Sequence, residues 1–227
     1  MSTSVSALED DDTEARGEPR SPLVATLLVA ATIPLLLPDP LLPGPRWLFP
    51  ALIIALMSIM LVLDPGRINK RSRELRYVRI GILLALAAST MYGALALADA
   101  IVRGTAAITS SADQLLEAGG LIWVGLLITF AFLFLELDMG GPGERAHLKR
   151  RFPDLAFPQD LNSSIARPDW RPLFVDYLYL GLTNNLAFSP TDVMPLSRWA
   201  KTAMGVQSVA SLVIIGLVIA RAVNIFP

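Results

Sequence analysis

The chain has 227 residues, 53% of them hydrophobic and only 17% charged, with a mean hydropathy of +0.53 and a formal net charge of -1 at pH 7. A soluble domain of this size carries about 25% charge, so the composition points to an integral membrane protein, and near-neutrality argues against a nucleic-acid binder, which needs a basic face. The absence of cysteine removes disulfides, thiolate metal sites and cysteine nucleophiles, and a single histidine, His147, leaves no multi-histidine metal centre.

Residues 1–20 show no apolar periodicity and carry an acidic cluster from Glu9 to Asp12, the pattern of a disordered acidic tail. The tail lacks the basic start of a cleaved signal peptide, so the first apolar run is expected to remain as a membrane helix. That run, Pro22 to Leu37, is short of the ~20 residues a full crossing needs and holds Pro34, which predicts a kink. Prolines 38, 40, 43 and 45 end it, and Trp47 to Leu63 then predicts the second arm of an antiparallel hairpin. A basic loop follows with Arg67, Lys70, Arg71, Arg73, Arg76 and Arg79. Loop orientation alone accounts for such a cluster; anionic lipid headgroups would be its sharper use.

The third run, Tyr77 to Val102, is rich in small residues (Gly81, Ala85, Ala88, Ser89, Gly93, Ala96), which let helix backbones approach closely. Asp99 falls in its last turn, at interface depth. The fourth run, Gly120 to Leu137, stops at Glu136, Asp138 and a Gly-Pro-Gly turn. Residues 144–172 form a polar loop that begins with Arg145, His147, Lys149, Arg150 and Arg151. His147 among arginines reads as a solvated side chain, with pH sensing as the alternative role.

Positive charge alternates between the loops, placing the tail, the second loop and the fourth loop in the cytoplasm. The expected fold is an all-α polytopic transmembrane helical bundle of about six spans with both termini cytoplasmic. It divides into a tail (1–20), a four-helix transmembrane region (21–143), a cytoplasmic polar loop (144–172) and a C-terminal helical hairpin (173–227). Trp47, Trp123 and Trp199 are then expected near the outer interface and Trp170 near the inner one.

Polar residues in the last hairpin lie where lipid penalises them. Thr183, Asn184 and Asn185 fall inside Leu173–Phe188, and Gln207, Ser208 and Ser211 fall inside the final helix. Asn184 is about 11 residues into its helix, ~16 Å at 1.5 Å per residue, near the bilayer centre. Gln207 and Ser211 are four apart and share a face. An unpartnered amide there costs a few kcal/mol, so these groups must meet one another, water or a solute. Two roles stay open: interhelical glue, or a polar lining formed by Thr183, Asn184, Asn185, Ser189, Thr191, Asp192, Gln207 and Ser211. Asp176 is expected to make an interfacial salt bridge with Arg171 or Arg221, and Asp192 with Arg198 to cap the outer turn.

The turn and last helix resemble the pore region of tetrameric potassium channels. Asp192-Val193-Met194-Pro195 matches the Asp-aliphatic-x-Pro step after the filter, Arg198 stands at the arginine position, and Tyr177 to Thr183 is similar to a pore helix. Gly205 or Gly216 occupies the place of the inner-helix glycine. Ala187 and Ser189 replace both filter glycines, which argues against a carbonyl filter of potassium-selective type. The same stretch is also similar to an uncharacterised family of small bacterial polytopic membrane proteins, through Pro168-Asp169-Trp170, Asp176-Tyr177, Thr183, Thr191-Asp192 and Arg198. That resemblance implies a helical membrane fold and no known activity.

The expected function is therefore a pore or transport-related inner-membrane protein for a monovalent cation or small solute, with a degenerate channel-like segment. A non-conducting structural or regulatory membrane subunit is the alternative. No nucleophile, base or metal cluster stands out inside the runs, so no enzyme activity, cofactor or metal is expected. The expected partners are the lipid bilayer and further copies of the chain in a homo-oligomer.

Overall fold

The computed structural model describes residues 18–63, 67–68, 73–104, 111–146, 152–162, 164–167, 170–186 and 192–225. Six main helices form where the apolar runs lie: α1 Ser21–Leu36, α2 Leu48–Leu63, α3 Arg73–Arg103, α4 Ala112–Leu137, α5 Phe174–Leu186 and α6 Arg198–Ile225. Helix α1 starts with proline in its first turn, where the missing N–H is no loss, and contains Pro34. It ends at Leu37, which is extended (φ -70°, ψ 144°) as the following proline requires. Three helices, α3, α4 and α6, are long and apolar enough to cross a membrane, and α1 and α2 are shorter apolar helices.

Helix α4 is the hub. Burial covers 72% of its apolar stretch, against 33% for α3 and 28% for α6, and it packs on α1, α3, α5 and α6. Small residues set these approaches. Gly93 lies against Ile122 and the Leu41 carbonyl, Gly125 against Thr90, Gly119 against Val218, and Gly181 against the Leu127 carbonyl and Ala131. The buried stripe of α6 is Ala200, Met204, Gln207, Ser211, Ile214, Val218 and Ala222, a three-and-four spacing that faces the hub.

Two short antiparallel pairs close one end of the bundle. Strand β1 (Glu18–Pro19) pairs with β2 (Arg67–Ile68), and β3 (Leu155–Ala156) pairs with β4 (Met194–Pro195). Residues 144–172, expected as a plain loop, contain part of this folded cap, with one turn of helix at Pro142–Arg145 and another at Pro158–Leu161. This end carries Arg20, Arg73, Arg76, Arg79, Arg145, Arg198 and Lys201, and is called the basic end below.

The last two helices do not form the expected antiparallel hairpin. Helix α5 runs antiparallel to α4: Tyr177 meets Asp138, Gly181 meets Leu127, and Asn185 meets Trp123. Helix α6 also runs antiparallel to α4: Trp123 meets Ser211 and Gly119 meets Val218. Helices α5 and α6 are therefore parallel, and both start at the basic end. The 13 residues of α5 rise only about 20 Å, so the helix stops part-way along the bundle and the chain returns to the end it came from. Residues 18 and 225 lie at opposite ends of the bundle. This differs from the expectation of both ends on one side. It also moves Trp199 to the basic end, beside Asp154, and Trp123 to mid-depth.

Candidate functional site

The buried polar residues of α5 and α6 meet one another. Asn184 Nδ2 donates to Gln207 Oε1 at 2.8 Å and to the Met204 carbonyl at 3.0 Å. Gln207 Nε2 donates to Asn185 Oδ1 at 2.8 Å and to the Gly181 carbonyl at 2.9 Å. Ser208 Oγ reaches Asn184 Oδ1 at 3.1 Å and the Asn184 carbonyl at 3.2 Å. Ser211 Oγ donates to the Asn185 carbonyl at 2.8 Å and accepts Trp123 Nε1–H at 2.7 Å, and Asn185 Nδ2 points to the Trp123 carbonyl at 3.4 Å. Gln207 and Ser211 are fully buried and Asn184 and Asn185 nearly so. A primary amide has two N–H donors, and both are used on Asn184 and on Gln207. The result is a dry clasp joining α4, α5 and α6 at mid-depth.

Local sequence explains how the clasp forms. Gly181 has no side chain, so its backbone sits against the Leu127 carbonyl and its own carbonyl is open to Gln207. Asn184 and Asn185 follow three and four residues later and share its face. The opposite face of α5, Val175, Tyr179 and Leu186, is exposed and mainly apolar.

The other expected lining residues that the structure describes, Thr183 and Asp192, do not join this cluster. Thr183 Oγ1 bonds back to the Tyr179 and Leu180 carbonyls of its own helix. Ser189 and Thr191 lie outside the described residues, as do Ala187, His147, Lys70 and Arg71. Asp192 and Arg198 are both exposed, with no ion pair between them among the described residues. Asp176, expected in a salt bridge with Arg171 or Arg221, accepts Leu173 N–H at 2.7 Å and so caps the first turn of α5. Gly205 and Gly216 face open space rather than another helix. Asp99 pairs with Arg103 at the surface.

The basic loop divides as well. Arg67 belongs to β2, and Arg73 and Arg76 are exposed on the first turn of α3. Arg79 turns inward and holds Glu136 at 2.7 Å, with both side chains about nine-tenths buried or more. Nothing in the run of positive charges singles out Arg79. The informative residue is its partner, an acid one residue before the end of a long apolar run.

A second polar cluster, which composition and spacing do not announce, pins the feet of α5 and α6. Asp138 is fully buried and accepts Tyr177 O–H at 2.6 Å together with Asp154 N–H and Leu155 N–H. Asp154 in turn accepts Met139 N–H and Trp199 Nε1–H, both at 3.0 Å. Arg145 donates to the Leu135 and Asp138 carbonyls and lies 5.0 Å over the Tyr177 ring. Glu18, the first residue of β1, accepts the Phe174 N–H at the start of α5. Burial raises its carboxyl above the ordinary range, opposed by Arg145, by that hydrogen bond and by Arg171.

The clasp contains only neutral groups: three amides, two hydroxyls and an indole. Among the described residues no three His, Asp or Glu side chains are grouped to hold a metal ion. Two small cavities elsewhere, about 20 Å³ beside Pro34 and Gly125 and about 10 Å³ beside Met60 and Glu136, are of single-water size. Comparison with family models, with curated proteins and with solved structures gives no match.

Proposed function

We propose that this chain is a multi-pass protein of the cell inner (plasma) membrane and acts as a non-conducting structural or regulatory subunit. In this reading five helices cross, α5 is re-entrant, and the basic end faces the cytoplasm, as the excess of arginine and lysine there favours. The observation that carries it is the saturation of the clasp. Asn184, Asn185, Gln207 and Ser211 spend their hydrogen-bonding capacity on each other and on backbone carbonyls of packed helices, which suits helix cohesion and leaves no polar surface for a solute. The surface that α5 turns outward is Val175, Tyr179 and Leu186, which suits lipid or another helix better than a wet pore.

One observation favours the second reading, a pore for a monovalent cation or small solute at the axis of a homo-oligomer. A full helix, a half-helix and a second full helix starting from the same end make the arrangement that pore-loop channels use, and it falls on the stretch that resembles them. Here, however, the half-helix enters from the basic end. Flux in proteoliposomes separates the two. The non-conducting reading expects cation and small-solute flux no higher than in empty vesicles at any imposed gradient, for the wild type and for Gln207→Leu alike. Flux above that level that Gln207→Leu alters would establish the pore instead.

A further inference from the structure

The cap over the basic end has a surface that neither the clasp nor the helix packing uses. Its depth is fixed by hydrogen bonds. Asp154 N–H and Leu155 N–H sit on Asp138, Met139 N–H sits on Asp154, and Leu196 N–H reaches the Asp154 carbonyl at 2.8 Å. The cap is therefore held level with the last turn of α4, where the apolar run of that helix gives way to charge. It does not stand off into solvent.

The cap exposes large apolar side chains outside any long helix: Phe152 at 95%, Ile165 at 64%, Leu161 at 56%, Met194 at 55% and Leu196 at 50%. Scattered single apolar residues on a surface need no explanation, but five on one small cap do. Exposed cations accompany them, Arg167 in the cap and Arg198 and Lys201 on the first turn of α6. Among the described residues the exposed acids of the same surface are Asp192 and Asp160, and Asp160 is turned back onto Phe157 N–H. Apolar side chains at the membrane boundary beside lysine and arginine are the composition of an element that lies in the interface, with its apolar groups among the upper acyl chains and its cations at the phosphates.

We propose that residues 152–162, 164–167 and 192–197, with Arg198 and Lys201, form an in-plane platform that binds anionic phospholipid headgroups of the leaflet at the basic end. The proposal rests on the membrane reading above and adds the partner: lipid phosphate, selected by charge and retained by Phe152, Leu161 and Ile165. An acidic soluble protein would satisfy the cations, but apolar side chains spread over a strap at headgroup depth form no groove for one.

The test uses the cysteine-free chain with single labels. Phe152→Cys, Ile165→Cys and, as a control on the outward face of α6, Val209→Cys are each tagged with an environment-sensitive fluorophore. The full-length protein is then reconstituted in vesicles of phosphatidylcholine alone or mixed with phosphatidylglycerol. Labels at 152 and 165 are expected to be blue-shifted and quenched by lipids spin-labelled at shallow depth, more strongly with phosphatidylglycerol present. Arg167→Gln, Arg198→Gln and Lys201→Gln are each expected to lower the local enrichment of spin-labelled phosphatidylglycerol about five-fold. Water-like emission at 152 and 165 with a deeply quenched label at 209 overturns the platform and leaves the membrane reading standing. Equal quenching with and without phosphatidylglycerol overturns the anionic preference, and a water-exposed label at 209 overturns both readings.

Discussion

Replacing Gln207 by leucine removes the centre of the clasp while keeping side-chain volume close to native. Three hydrogen bonds go: from Asn184 Nδ2, to Asn185 Oδ1 and to the Gly181 carbonyl. Side-chain hydrogen bonds between membrane helices average about 0.6 kcal/mol, so the three together contribute about 2 kcal/mol. Asn184 Nδ2 keeps the Met204 carbonyl, but Asn185 Oδ1 loses its partner in a dry site, and such an orphan adds about 1–3 kcal/mol. The expected loss is therefore ~3–5 kcal/mol. Removing all three amides as leucines should cost less than the sum of the single changes, because the orphaned groups disappear with their partners. Reversible unfolding in mixed micelles, or steric trapping with labels on α4 and α6, reads the difference. A Gln207→Leu protein as stable as the wild type would refute the assignment of cohesion to the clasp.

Three further outcomes are expected. Burial holds the Glu18 carboxyl above its ordinary value of 4.5, so the folded protein keeps a proton that the unfolded chain has already released. Its contribution is therefore most favourable at acid pH and declines as pH rises from about 4.5 through the raised value. Glu18→Gln retains an acceptor for Phe174 N–H and should flatten that decline in a series of melting curves; an unchanged pH slope would contradict it. Gly119→Val would place a Cβ 2.7 Å from Val218 Cγ2, and the overpacking should lower stability by about 1–3 kcal/mol, with unperturbed melting as the contrary result. Cysteines placed at Ser111 and Asn224 should react with an impermeant thiol reagent in intact cells, and one at Asp192 only after permeabilisation. Labelling of Asp192 together with Ser111 would restore the antiparallel hairpin and remove the re-entrant helix.

The positions of the helices are legible because apolar run length is a local property, and each long run reads within a few residues of its helix except at the start of α4, which begins at Ala112 rather than Gly120. The residue types of the clasp are legible for the same reason, since an amide at mid-run signals its own need for a partner. The partner is another matter: Trp123 sits 88 residues from Ser211, and no periodicity links them. The reversal after α5 is hidden because it depends on two long-range pins, Tyr177 to Asp138 and Trp199 to Asp154, across 39 and 45 residues. One local sign of it exists. Arg198 and Lys201 put positive charge in a turn that the antiparallel reading sends outside, and the structure puts both at the basic end. Glu136 and Asp138 read only as the end of a run, because their burial comes from arginine and tyrosine on other helices.

Glu18 also sets an order of events during biosynthesis. The amide it accepts from, on Phe174, is 156 residues further along the chain. At ribosomal speeds of about 5–20 residues per second, that is a wait of roughly 8–30 s. Gln207 is made later still, so α5 can dock on Asp138, Leu127 and Trp123 of α4 before the side-chain partner of Asn184 exists. Only when α6 has been threaded can both ends of the half-helix be secured. Completion of the clasp is accordingly among the last steps of assembly.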